Sequence, residues 1–141
     1  MTVLDASVLA KLFIEEDGSE LAEAIISNTH PILAPDIARI EVASAITRAC
    51  RNKTMDEENG RRQLNAWRRC IEVGTVQLVE TTKCQIEAES LSLRLRHPLA
   101  DCLYLAVAID RKMPLVTADQ PFIDVVASHY EAIRHFRTFM S

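Results

Sequence analysis

Glycine, proline, cysteine and aromatics are all scarce here: three Gly, five Pro and four Cys in 141 residues, with 5% Phe, Tyr and Trp. So few chain punctuators, with no Ser/Gly linker, low-complexity tract or internal repeat, exclude a hinged multidomain chain or a solenoid. With 48% hydrophobic and 26% charged residues, the sequence fits one ordinary domain, residues 1–141, built on a single core. Cys50, Cys70, Cys84 and Cys102 form no CxxC pair, and His30, His97, His129 and His135 complete no zinc spacing. Reduced, buried thiols are therefore expected, without disulfides or structural zinc. Long apolar runs are also missing: Leu103 to Ile109 falls far short of the roughly 20 residues a membrane span needs. The start, Met1 to Asp5, has no basic segment and soon meets a carboxylate, so no signal peptide is expected and the predicted location is the cytoplasm.

Positive charge is in deficit too. Sixteen Lys and Arg against 20 Asp and Glu leave a net charge of -4, a poor balance for gripping phosphates over a whole surface. Distribution matters more than the sum, because several acids pooled in one metal site leave the remainder closer to neutral. Arg48, Arg51, Lys53, Arg61, Arg62, Arg68 and Arg69 form a locally basic stretch. Within it, Arg62 and Arg69 stand seven residues apart, about 10 Å along a helix, a spacing suited to successive backbone phosphates. A plain solvated helix face is the alternative reading of the same run.

Thr2 to Leu4 reads as a short buried strand ending at Asp5, followed by a helix over Ala6 to Glu15 with Val8, Leu9, Leu12 and Phe13 on one face. A second amphipathic helix is expected over Gly18 to Asn28, then a strand over Ile32 to Ala34 closed by Pro35. Pro35-Asp36 opens a helix reaching about Asn52, with Asp36 as its N-cap. Thr54-Met-Asp-Glu57 fits a capping box and starts another helix, with Leu64, Trp67 and Ile71 on one face and Gly74 at its end. Those three apolar residues suit either the core or a dimer seam. Strands over Val76 to Val79 and Leu115 to Thr117 alternate with helices over Lys83 to Arg96 and Leu99 to Lys112. A short helix from Pro121 and a last strand near Ile133 to Phe136 complete the pattern. Short, continuously apolar strands separated by helices predict an α/β class: three layers, with a central parallel sheet flanked by helices on both faces. In such open sheets ligands gather beyond the carboxyl ends of the strands.

Asp5 follows the first strand directly, and Asp119 lies two residues past Thr117, so both fall on that rim. Asp101 sits in the first turn of an apolar helix, and Glu41 sits mid-helix between Ile40 and Val42. Taken singly, Asp5 suits a helix cap and Asp101 a complement to a helix dipole, worth roughly 0.3 to 1 kcal/mol. Glu41 suits a polar seam with Ser44 and Arg48. Together they repel, since two charges about 4 Å apart cost about 4 kcal/mol at an effective dielectric of 20. A hard divalent cation such as magnesium relieves that repulsion, and can activate water against a phosphodiester.

At this point the chain resembles a known family. Asp5-Ala-Ser7 after an amino-terminal strand, Glu41 in an Ile/Val/Ala helix, Asp101 opening an Ala-rich helix, and Thr117-Ala-Asp119-Gln-Pro-Phe122 after a late strand look like the four PIN-domain motifs in order. The resemblance runs from Thr2 to Phe122, and the Asp-Ala-Ser-Val-Leu opening is similar to the VapC-like toxin branch. It implies a PIN-like fold and a catalytic metal site in which Asp5, Glu41, Asp101 and Asp119 hold one or two Mg2+ or Mn2+ ions, with Ser7 and Thr117 orienting carboxylates or water. It further implies endonucleolytic hydrolysis of single-stranded or looped RNA, leaving a 3′-hydroxyl and a 5′-phosphate, with Arg62 and Arg69 as candidate RNA contacts. A small VapB-like antitoxin and a homodimer are the partners it implies. Gln120 departs from the pattern, which often places a basic residue there. Asp124 is near in sequence and reads as a surface residue of the last helix.

Two other readings compete. A receiver or phosphoryl-transfer α/β domain also gathers acids and magnesium at strand ends, but it needs an acid directly after a central strand. Here the third strand ends Val79-Glu80-Thr81, and no Asp-x-Asp pair follows the first. A non-catalytic PIN scaffold serving only as a binding partner would be marked by loss of an acid, and all four are present.

Overall fold

The computed structural model describes residues 1–140. Its elements are β1 (Thr2–Leu4), α1 (Ala6–Leu9), α2 (Ser19–Asn28), β2 (Ile32–Pro35), α3 (Ala38–Arg51), α4 (Glu57–Glu72), β3 (Val76–Val79), α5 (Gln85–Leu95), α6 (Leu99–Arg111), β4 (Leu115–Thr117), α7 (Gln120–Val126) and β5 (Ile133–His135). All five strands run parallel in the order β3-β2-β1-β4-β5. Every residue of β1, β2 and β4 is buried, which requires cover on both faces and accounts for strands without polar alternation. The fold class is as expected.

β1 lies at the centre, with β2 on one side and β4 on the other, Val3 pairing with both Leu33 and Leu115. The chain builds outward through β2 and β3, then crosses back to add β4 and β5. The reversal leaves a crevice between the carboxyl ends of β1 and β4, where open α/β sheets bind ligands. α6 packs across β1, β2 and β4, and its residues Cys102–Ala108 are all buried. Trp67 of α4 is 1% exposed. Its Nε1 donates to the Arg39 carbonyl at 3.1 Å, and its ring meets Phe13 edge-on at 5.6 Å. Leu64 and Ile71 pack against the same core, so this face of α4 belongs to the interior. All four cysteines are free thiols, and among the described residues no helix is long and apolar enough to cross a membrane.

Three local expectations are corrected by side-chain hydrogen bonds. The first helix ends early: α1 tightens into a 3-10 turn over Ala10–Leu12, and both Phe13 N and Ile14 N bond back to the Ala10 carbonyl. The Ser19 hydroxyl then donates to the Ile14 carbonyl and accepts from Glu16 N, competing with further helix. Asp36 is not the cap of α3, whose N-cap position is Ile37 without a side-chain bond. The Asp36 carboxylate instead accepts the Thr81 hydroxyl beyond β3. The cap of α4 is Asp56, accepting from Asn59 N at 2.7 Å, while Thr54 donates back to the Ala49 carbonyl. Gly74, with φ +80, does stop α4, a backbone state only glycine adopts without strain.

Candidate functional site

β1 delivers Asp5 to the crevice, its N–H still extending the ladder to the Val116 carbonyl at 2.9 Å. Asp5 occupies the N-cap position of α1 but makes no capping bond. Its Oδ2 instead accepts the Ser7 hydroxyl at 2.7 Å and the Thr117 hydroxyl at 2.8 Å. Ser7 Oγ also accepts from Ala118 N, and Thr117 Oγ1 from Asp119 N, each at 3.1 Å. The two hydroxyls thus tie the end of β1 to the turn after β4. Oδ1 of Asp5 takes no protein hydrogen bond and yet is not sealed from solvent, so the oxygen left over faces the open crevice.

Asp119 is the N-cap of α7, its Oδ1 accepting from Phe122 N at 3.1 Å. That cap uses one oxygen of Asp119 and leaves the other without a protein partner among the described residues. Glu41, on α3, accepts the Tyr104 hydroxyl of α6 at 2.8 Å. Asp101 lies one turn before Tyr104, and its Oδ2 meets His97 Nε2 at 2.8 Å. The His97 ring stacks on Phe122 with centroids 4.5 Å apart and planes at 14°.

Asp5, Glu41, Asp101 and Asp119 all line one groove of about 650 Å³. Among the described residues no Lys or Arg forms an ion pair with any of them. Burial pushes the Asp5 carboxyl up to about 6, the hydroxyls of Ser7 and Thr117 pull it back, and the neighbouring Asp101 and Glu41 add to the rise. Glu41 is raised as well, by burial first and then by Asp101, against the opposing bond from Tyr104. Burial, with Glu41 and Asp5 nearby, keeps the Tyr104 phenol protonated, so it acts as a donor. The site is short of positive charge, which is the condition a bound cation corrects.

Oxygen ligands from separate parts of the chain, steadied by hydroxyls at Asp5 and Glu41, a backbone N–H at Asp119 and the His97 ring at Asp101, suit a divalent ion. Among the described residues, the set with ligand atoms all within 4.8 Å of one another is His97, Asp101 and Asp119. Asp5 and Glu41 line the groove outside that tight set. Ser7 and Thr117 stand where the sequence places them, on Asp5. Asp124 is exposed and bonded to Gln120 at 2.8 Å. Arg62 and Arg69 do not line the groove; both are exposed on α4, and Arg62 reaches Glu58 one turn back at 3.6 Å. The basic side chains that do line it are Lys11 and Arg48. Sequence reasoning passed over His97, Tyr104 and Lys11. The signal for Tyr104 is its spacing of three residues from Asp101, which puts both on one face of α6, whereas His97 lies before that helix.

A sequence profile described as the PIN domain matches residues 2–127. No curated protein gives a significant match. Among solved structures the chain is similar to VapC20 of Mycobacterium tuberculosis, described as a toxin that cleaves the sarcin-ricin loop, with a TM-score of 0.72 at 16% identity, covering 95% of this chain and 99% of that one. It is also similar to a chain in a toxin-antitoxin complex from Klebsiella pneumoniae, with a TM-score of 0.69 at 17% identity, covering 95% and 96% respectively. At such identities the likeness establishes the shared fold.

Proposed function

Because the chain belongs to the PIN-domain family, we propose that it is a divalent-metal-dependent endoribonuclease and the toxin of a toxin-antitoxin pair. One observation carries the nuclease reading: Asp5, Glu41, Asp101 and Asp119, from four separate elements, line one groove at the sheet's switch point with no Lys or Arg paired to them. The fold shared with VapC20 supports RNA as the substrate class, and the fold shared with the Klebsiella complex supports an antitoxin partner.

The four carboxylates would hold one or two Mg2+ or Mn2+ ions, which activate water for attack on phosphorus and neutralise charge building on the phosphate. Ser7 and Thr117 fix Asp5 so that one oxygen stays free on the groove side. Tyr104 holds Glu41, and the cap on α7 holds Asp119. Preset donors of this kind avoid reorganisation during reaction. Arg48, on the groove wall, would supply positive charge for the RNA backbone, while Lys11 there is paired with Glu16 at 3.3 Å; Arg62 and Arg69, exposed on α4, are candidate contacts for RNA outside the groove. Products would be a 3′-hydroxyl and a 5′-phosphate.

A receptor of crowded carboxylates also suits an Arg side chain, whose fork pairs with two carboxylate oxygens. The antitoxin is therefore expected to lay a carboxy-terminal basic segment across the groove, on a toxin that acts in the cytoplasm as a homodimer. The nuclease is tested by incubating RNA with the purified protein and either Mg2+ or EDTA. Cleavage is expected only with the metal; full cleavage by verified metal-free protein would sink the reading. Co-expression with the adjacent small open reading frame tests the toxin assignment: growth arrest alone and rescue with a co-purifying neighbour are expected, and no arrest removes that assignment.

A further inference from the structure

We infer that His97 is a nitrogen ligand of the metal centre, making it a mixed nitrogen and oxygen site that selects a first-row transition ion such as Mn2+ over Mg2+. The inference rests on the metal-dependent reading above and deepens it.

The argument begins from size. Two atoms bound to one ion at about 2.1 Å are at most about 4.2 Å apart, and adjacent octahedral ligands are about 3 Å apart. His97, Asp101 and Asp119 bring ligand atoms within 4.8 Å of one another, so movements of a few tenths of an ångström close the set on one ion. His97 Nε2 and Asp101 Oδ2, at 2.8 Å, already stand at the spacing of adjacent ligands.

The ring is also held in place. His97 has a side chain only 13% exposed, and it stacks on Phe122, which is wholly buried. Phe122 in turn gives its N–H to Asp119 Oδ1, so the imidazole and Asp119 are fixed by the same first turn of α7. His97 precedes Pro98, the N-cap of α6, and its ring reaches Asp101 in the first turn of that helix. Without metal, the hydrogen shared between Nε2 and Asp101 keeps both groups together. On binding, the Nε2 proton passes to solvent and Nδ1 takes one up, so the ring stays neutral with Nε2 free to ligate.

The consequence is selectivity. Magnesium prefers an all-oxygen shell and parts with water reluctantly, whereas transition ions accept imidazole readily. Four carboxylates alone would suit Mg2+; the added nitrogen moves the preference.

The test uses the intact protein with Mn2+ and Mg2+ as probes. Pulsed EPR of the Mn2+-loaded wild type should show hyperfine coupling to a 14N nucleus of imidazole. Calorimetric titration should give at least about tenfold tighter binding of Mn2+ than Mg2+, a difference of about 1.4 kcal/mol. In His97→Gln, whose amide can still donate to Asp101, the coupling should vanish and Mn2+ should weaken about tenfold, with Mg2+ losing less than about threefold. Absence of 14N coupling in the wild type overturns the proposal whatever the variant does. Equal losses for both ions also overturn it, assigning His97 to orienting Asp101. Either result leaves a metal-dependent nuclease standing, whereas full cleavage in EDTA removes the metal dependence on which the inference rests.

Discussion

Replacing Asp5 by Asn removes one charge from the most buried carboxylate of the groove while keeping its shape. The Asn carbonyl oxygen can still accept from Ser7 and Thr117, and its amide takes the side of the group that reaches solvent. In the native chain the Asp5 pKa is raised from 3.8 to about 6. Below about pH 3.8 both folded and unfolded forms carry the proton, and the charge costs nothing. Between about 4 and 6 the unfolded chain ionises first, so stability falls as pH rises. Above about 6 both forms are charged, and the full penalty, a shift of about two units, amounts to about 3 kcal/mol. For a domain of this size each kcal/mol moves Tm by roughly 4 °C. In EDTA at pH 7.5, Asp5→Asn should therefore melt about 10 °C above the wild type, with the gap closing toward pH 4.

Divalent metal supplies an internal control. An ion that binds only the folded state adds RT ln(1 + [L]/Kd), about 2.7 kcal/mol at a hundredfold excess over Kd. Added Mg2+ or Mn2+ should thus raise the wild type toward the variant, while the variant responds weakly and cleaves RNA poorly. Differential scanning fluorimetry across pH 4 to 8, with EDTA or with metal, reads all of this. The reasoning fails if the variant melts below the wild type in EDTA at pH 7.5, or if the two curves run parallel across the window. The first outcome would make Asp5 a stabilising structural acid, and the second would mean that its charge carries no burial penalty.

Arg48→Glu should weaken binding of single-stranded RNA and lower its salt slope by about 0.7 per lost contact, and Arg62→Glu tests the contact outside the groove, where an unchanged slope would assign Arg62 to a bare solvated face. Filter binding with the catalytically impaired Asp119→Asn background, over a salt series, reads both. Trp67→Ala should cost about 3 to 5 kcal/mol in urea unfolding, the range for emptying a buried aromatic site; a loss below about 1 kcal/mol would deny Trp67 its place in the core. Tyr104→Phe should lower kcat at saturating metal with little change in Tm, because it frees Glu41 without opening a cavity; unchanged kcat would leave Tyr104 as packing only.

The strands and the acid-bearing positions are legible in the sequence because the signal for each is local. Val76–Val79 and Leu115–Thr117 are short apolar runs bounded by turn residues, and Asp5 and Asp119 follow strand ends directly. Parallel pairing then brings those ends to one rim. What is not legible depends on a partner far along the chain. The Asp36 carboxylate is claimed by Thr81, 45 residues away, so a residue of good capping type leaves the cap empty. α1 stops where Ser19, from the next helix, takes the Ile14 carbonyl. Arg62 and Arg69 show the limit of a charge pattern: both are exposed on α4, and nothing in the seven-residue spacing says whether they line the groove, which they do not.

His97 and Tyr104 lie between these cases, and they show how such a site can be read further than its acids. Tyr104 follows from Asp101 by helical spacing, since a residue three after it shares its face, whereas His97 lies before Pro98 and reaches Asp101 from outside the helix. Side-chain type adds a second constraint. A buried Tyr hydroxyl requires an acceptor, supplied for Tyr130 by the carbonyls of Ala108 and Met113 and for Tyr104 by an acid. For Tyr104 that acid is Glu41, 63 residues away. This bond ties a buried phenol on α6 to a mid-helix Glu on α3. His97 in turn stands beside Asp101 while Phe122 and Asp119 close on it from α7. The acidic groove is thus held at its present width by neutral donors and one imidazole, and metal affinity should respond to changes at Tyr104 and His97 as well as at the carboxylates.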